Sequence, residues 1–176
     1  MPDLQITKQR IADAFARVKY PGDENLCGST DGDEPIRVSR DFRGKNHWQS
    51  LRAQFIDESP DGLASALSMF SHEAFRFYLP AYLLADLDNK LQRSDPVFHL
   101  THGLDESSAG KPINPRRYGR MTWADYAQER FAGFTQAQAA AIVAYLQYKL
   151  EEGGEDHSRR EDIQEALVRY WTGKAS

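Results

Sequence analysis

The chain has 176 residues, of which 22 are Lys or Arg and 26 are Asp or Glu, for a formal net charge of -4. That length suits one domain, and 40% hydrophobic with 27% charged residues describe a chain that folds rather than a disordered one. The charge is evenly spread, with 11 basic and 14 acidic side chains in residues 1–91 and 11 and 12 in residues 92–176. No basic arm is set aside to displace counterions from phosphates, so duplex nucleic acid is not an expected partner.

Cys27 is the only cysteine, which leaves no intrachain disulfide and no thiolate metal cluster, and makes a cytoplasmic location the expectation. The opening residues MPDLQITKQR lack the apolar core of a secretory leader. Between Ala74 and Ala85 the only charged residue is Arg76, but this run is far shorter than the roughly 20 residues needed to cross a bilayer. No membrane association is expected.

The first helix is expected from Thr7, an N-cap residue, through Ile11, Ala14, Phe15 and Val18, with Tyr20-Pro21-Gly22 as its stop. Residues 21–35, rich in Pro, Gly and acid, read as a mobile acidic loop. Ile36, Val38, Arg40 and Phe42 alternate with polar partners and permit a short strand or, equally, an irregular segment. Trp48, Leu51, Phe55 and Ile56 follow helical spacing up to Ser59-Pro60-Asp61-Gly62, and a second short helix is expected over Leu63 to Phe70.

Ser71 to Leu91 is the expected central element. It is apolar around its whole circumference, so it must be enclosed by other elements; Ser71 caps it, and Pro80 predicts a kink or a break. Residues 92–120 hold Pro96, Pro112, Pro115, Gly103, Gly110 and Gly119, and read as a long loop with one short element near Val97 to Leu100. A loop of that length in a compact protein is often functional.

Thr122 caps the next expected helix, with Trp123, Tyr126, Ala127 and Phe131 inward, and Thr135 to Gln138 matches a capping box. Ala139, Ile142, Val143, Leu146 and Leu150 then form one apolar stripe, stopped by Gly153-Gly154. Ser158 with Glu161 reads as another capping box for a last helix facing Ile163, Leu167, Tyr170 and Trp171 inward. The expected fold is mainly α: a single-domain irregular bundle of about six or seven helices, with at most one short strand pair.

Phe77-Tyr78-Leu79-Pro80-Ala81-Tyr82-Leu83-Leu84, preceded by Ser71 and Ala74-Phe75, resembles the signature of a family of small bacterial helical proteins of unknown function. Arg130-Phe131 and Phe134-Thr135-Gln136-Ala137-Gln138, followed by Ala141-Ile142-Val143 and Tyr145-Leu146, resemble the closing pattern of the same family. The resemblance implies a helical fold and a bacterial origin, and carries over no catalytic residue.

Candidate chemistry is sparse. No Gly-x-Ser-x-Gly elbow, Walker loop or Gly-x-Gly-x-x-Gly occurs, so acyl transfer and the usual nucleotide-binding folds lack support. His99 and His102, with Asp105 and Glu106 behind them, have the side-chain types of a divalent-metal site without an established ligand spacing. Asp31-Gly32-Asp33-Glu34 does not match the EF-hand register, since Ile36 stands where Gly is required. His72 and Glu73 are accounted for by the start of the central helix. Arg116, Arg117, Tyr118 and Arg120 combine three guanidiniums with a ring that could receive an anion or the acidic patch of a partner, and Arg37, Arg40, Arg43 and Lys45 form a looser second group.

Tyr145, Tyr148, Tyr126, Trp123 and Trp171 add aromatic surface that belongs either in the core or at an interface; any left exposed together would mark the interface. The expectation is a cofactor-free, non-enzymatic module that binds another protein, with an immunity-like inhibitor as one form of it by analogy. Its alternatives are a metal-dependent enzyme at His99 and His102, and a small-anion binder at Arg116, Arg117 and Arg120.

Overall fold

The computed structural model describes residues 2–60, 65–153 and 156–176. Among these the regular structure is helical: α1 (Leu4–Phe15), α2 (Asp33–Phe42), α3 (Ala53–Glu58), α4 (His72–Leu87), α5 (Pro96–Thr101), α6 (Glu106–Ala109), α7 (Pro115–Tyr118), α8 (Trp123–Phe131), α9 (Gln136–Glu152), α10 (His157–Ala166), a π turn over Leu167–Trp171, and α11 (Thr172–Ala175). Extended pairing among the described residues is limited to two isolated antiparallel bridges, Cys27 with Phe70 and Pro112 with Thr122. The mainly α fold read from the sequence is the fold observed.

The chain forms two compact units, Phe15–His99 and Met1–Ala14 with Leu100–Ser176. In the first, α4 is the centre. Ser71 accepts the Ala74 amide at 3.0 Å, capping the helix as its sequence predicts. Eleven of the sixteen residues of α4 are buried, the enclosure that an all-round apolar helix requires. The helix runs through Pro80 without a break. It ends at Leu87 rather than Leu91 because Asn89 turns left-handed, at φ 55°, and the Lys90 amide folds back onto the Ala85 carbonyl at 2.9 Å. Phe42, Phe70 and Tyr78 pack mutually, with centroids 4.8 to 5.0 Å apart.

Ile36 to Phe42, read from the sequence as a short strand or an irregular segment, is part of the helix α2. Pro35 and the acidic Asp33 and Glu34 occupy its first turn, where a missing amide and negative charge are both tolerated. Pro35, Val38 and Phe42 are buried at helical spacing, while Ile36 is 58% exposed. Residues 21–35 are better tied than a free acidic loop. They contain a 3-10 turn at Asp23–Asn25, the buried Leu26, and a Gly28 amide bonded to the Met69 carbonyl at 3.1 Å.

The two-turn helix expected from Trp48 is a 3-10 turn, Trp48–Ser50, then extended Leu51 and Arg52, then α3. The Trp48 indole donates to the Phe15 carbonyl at 3.3 Å, which anchors that turn before the helix begins. Of the short helix expected over Leu63 to Phe70, a 3-10 turn at Ala66–Ser68 is observed; Leu63 lies outside the described residues, as do Asp61, Gly62 and Gly154 of the expected stops.

In the second unit α1 starts three residues before Thr7, because the Asp3 carboxylate accepts the Ile6 amide at 2.9 Å and serves as the cap. Thr7 is instead inside the helix and 2% exposed. The long loop expected over residues 92–120 contains α6 and α7 besides the expected turn at Val97 to Leu100. Thr122 and Thr135 both make the capping boxes read from the sequence. α10 is capped by Asp156, which accepts the Arg159 amide at 3.1 Å, rather than by Ser158. α9 packs on α10, the π turn and α11. Trp171 lies at the centre of that packing, its ring 4.7 Å from Phe131 and its indole bonded to the Leu100 carbonyl at 2.8 Å.

Candidate functional site

The loop from Pro112 to Thr122 is closed at its base and carries its charge at its tip. The base is the Pro112 to Thr122 bridge, supported by the Ile113 amide on the Met121 carbonyl at 3.1 Å and the Trp123 amide on the Lys111 carbonyl at 3.0 Å. Within it Asn114 accepts the Arg116 amide at 3.1 Å, Pro115 takes the first helical position and Gly119 ends the turn at φ 62°. This arrangement of cap, Pro and Gly makes one rigid helical turn from residues that propensity alone would leave irregular.

Arg116, Arg117 and Arg120 are exposed on that turn and Tyr118 is half-buried. The three guanidiniums make no ion pair among the described residues. From Ser107 to Ala124 the sequence has four basic residues, Lys111 included, and no acidic one. The local charge is therefore opposite in sign to that of the whole chain.

Behind the turn lies a run of rings. The Arg117 guanidinium stands 5.4 Å over the Tyr118 ring, whose centroid is 6.2 Å from Tyr126. Tyr126 lies 6.0 Å from Trp123, and Trp123 4.5 Å from the His102 imidazole. Arg130 lies 5.7 Å from the Tyr126 centroid on the same helix and is 6% exposed. Burial pulls its pKa below the usual guanidinium value, opposed by Tyr126 and Tyr118.

The aromatic residues flagged in the sequence thus divide. Tyr145, Tyr148 and Trp171 are buried, whereas Trp123 and Tyr126 are half-buried side by side. Trp123 is placed by Gly103, at φ 90°: a Cβ there would come within 2.5 Å of the Trp123 carbonyl oxygen. This close approach, which only glycine permits, has no signature in the sequence beyond the glycine itself. The stretch free of acids was readable, and points to the same place.

The other candidates have local partners. His99 stacks edge-on against Phe98 at 5.3 Å. Burial lowers the pKa of His102, partly offset by Asp105. Asp105 is 4% exposed and caps α6, accepting the Ser108 amide at 2.9 Å and the Ser107 hydroxyl at 2.6 Å, with the Ser108 hydroxyl as a third donor. Burial works against its charge, but those donors outweigh burial and hold its carboxyl below the usual range. The nearby Asp162 is pushed the other way, by burial and then by the charges of Asp105, Glu165 and Glu161.

Glu106 pairs with Arg169 at 3.4 Å. Among the described residues no group of three or more His, Cys, Asp and Glu side chains is placed to hold a metal ion. Cys27 donates to the Pro35 carbonyl at 3.3 Å, and burial raises its thiol pKa. Arg40 pairs with Asp41 at 3.2 Å, and Lys45 stands 5.3 Å over Phe55. No helix of the described residues is long and apolar enough to cross a membrane.

What the fold and this surface define is a helical protein presenting a rigid basic turn backed by rings. A model described as a family of unknown function (DUF6714) matches residues 7–175, and the chain belongs to that family. Neither a curated protein nor a solved structure matches it.

Proposed function

We propose that the protein is a non-enzymatic binding module of bacterial cytoplasm whose contact surface is the α7 turn, and that its partner is a protein presenting an acidic patch. The observation that carries this reading is the set of three exposed guanidiniums without an ion pair among the described residues, on a turn whose backbone is fixed at both ends. Arg forms paired hydrogen bonds to carboxylates and stacks on rings, so Arg116, Arg117 and Arg120 supply directed charge while Tyr118, Tyr126 and Trp123 supply apolar area. A preformed turn spends little conformational entropy on binding. An immunity-like inhibitor is the form of such a module that covers a partner's acidic working surface.

The test is retention from a lysate of the source cells, by the native protein and by the Arg116→Ala/Arg117→Ala variant, followed by affinity measurement on the retained partner. A stoichiometric partner whose affinity falls by about tenfold or more in the variant, and falls with added salt, is the expected result. Equal retention by the two proteins would remove the α7 turn from the function.

A further inference from the structure

α2 presents a second, chemically different surface. Its buried face is Pro35, Val38 and Phe42. The neighbouring stripe, Ile36, Ser39 and Arg40, together with Arg43 just past the end of the helix, lines a cavity of about 370 Å³. That volume lies toward the small end of the range of about 300–1,000 Å³ over which clefts hold small ligands. The same cavity is lined by Asp23 and Glu24 of the 3-10 turn and by Ser29 and Thr30 of the loop before the helix. Two guanidiniums, two carboxylates and three hydroxyls therefore border one space, with Pro35 and Ile36 as its apolar part.

The Asp23 part of the lining is fixed to the core. Asp23 Oδ1 accepts the Tyr20 hydroxyl and, at 2.7 Å, the Gly44 amide, which leaves Oδ2 without a hydrogen bond among the described residues. The Tyr20 ring in turn meets Phe77 of α4 edge-on at 5.4 Å. The Tyr20 bond, the Gly44 amide and the Arg43 charge hold the Asp23 carboxyl below its ordinary value, so it stays ionised at neutral pH. The side chain of Arg43, whose charge acts on Asp23, makes no ion pair or hydrogen bond among the described residues, and that of Glu24 makes none either. Among the described residues Arg40 pairs with the half-buried Asp41, and because the Arg40 side chain is itself largely exposed this is a contact weak enough for a ligand to displace.

We infer that this cavity binds a small zwitterion, a molecule with an oxyanion at one end for Arg40 and Arg43 and a protonated amine at the other for Asp23 and Glu24. The juxtaposition of both charge signs in one small space is what selects such a ligand: an anion alone would meet the carboxylates, and a cation alone the guanidiniums. The Ser29, Thr30 and Ser39 hydroxyls can turn to serve either end. The oxyanion is a carboxylate or a phosphate, and the site is independent of the α7 turn.

The test is titration of the isotope-labelled protein, followed by backbone amide shifts, with phosphoethanolamine and γ-aminobutyrate as the two bifunctional probes. Inorganic phosphate, butyrate and ethanolamine serve as their separate halves. At least one bifunctional probe is expected to move the amides of residues 23–43 and to bind about tenfold more tightly than either of its halves. Arg43→Gln and Glu24→Gln, both of exposed side chains, should each weaken that binding by about tenfold, while Arg116→Ala/Arg117→Ala leaves it unchanged. A shift with phosphoethanolamine alone assigns a phosphate, and with γ-aminobutyrate alone a carboxylate. No shift with either probe at millimolar concentration, halves that bind as tightly as the whole, or undiminished binding by Arg43→Gln would each overturn the inference. Failure here leaves the partner measurement at Arg116 and Arg117 untouched.

Discussion

Two regions use the same residue types to opposite ends. Around α4, Phe42, Phe70 and Tyr78 are at most 2% exposed, and two polar side chains of the same unit bond to backbone: Tyr78 donates to the Lys45 carbonyl at 2.8 Å, and Asp57 accepts the amides of Gln92, Arg93 and Ser94 at 2.9 to 3.0 Å. Around α7 and α8, Tyr118, Trp123 and Tyr126 are half-buried, and Arg116, Arg117 and Arg120 have no ion pair among the described residues. Aromatic content alone therefore does not separate core from contact surface. What separates them is the burial of the rings and the lack of an ion pair, among the described residues, for the exposed Arg116, Arg117 and Arg120.

The contrast is broken most forcefully at Phe42. Its ring meets Phe55, Phe70 and Tyr78 within 5.1 Å and is fully buried, so Phe42→Ala should cost about 3–5 kcal/mol in denaturant unfolding. Tyr118→Ala should cost less than about 1 kcal/mol, as expected for a half-exposed side chain outside the core. Equal losses would erase the distinction between the regions.

Next in size is Gly103→Ala, for which the left-handed backbone costs about 1–3 kcal/mol before the clash with the Trp123 carbonyl is counted. The indole N–H resonance of Trp123 should move. A silent substitution would mean that the ring platform is not held from Gly103.

A finer comparison lies within α4 itself. Tyr78→Phe removes the bond to Lys45 and should cost about 1 kcal/mol. The Tyr82 hydroxyl is buried with no hydrogen-bond partner among the described residues, so Tyr82→Phe should be neutral or slightly stabilising. A large loss at Tyr82 would show that its hydroxyl is satisfied after all.

The smallest effect is a slope. Burial raises the pKa of Asp57, but the Gln92, Ser94 and Arg93 amides outweigh it and hold the carboxyl below its ordinary value. A group depressed in the folded state contributes stability that is present above its unfolded pKa and is lost as pH falls through the folded one. Asp57→Asn should flatten the decline of stability below the ordinary carboxylate range and leave its pH dependence unchanged near neutrality, as followed by melting at a series of pH values.

Features of short range were the legible ones. The caps at Ser71, Thr122 and Thr135 need only three or four neighbouring residues, and all three are observed. The run from Ala74 to Ala85 announced its own burial because no face of it is polar. α2 is not legible as a helix because Val38 and Phe42 satisfy both an alternating and a helical pattern; Pro35 and the position of Ile36 decide between them only once the packing is seen. The basic turn was readable as a candidate from Arg116, Arg117 and Arg120. That Trp123 and Tyr126 back it, while Tyr145 and Tyr148 go inside, depends on contacts between segments distant in the chain, and no local pattern encodes them.

The closed base of the loop from Pro112 to Thr122 has an evolutionary consequence. Ile113 is its only buried residue, and Arg116, Arg117 and Arg120 are exposed, so these three positions can change without disturbing the packing beneath. Stability and recognition then vary on separate positions, and a lineage can exchange one binding partner for another by substitution at the tip while selection on folding acts elsewhere.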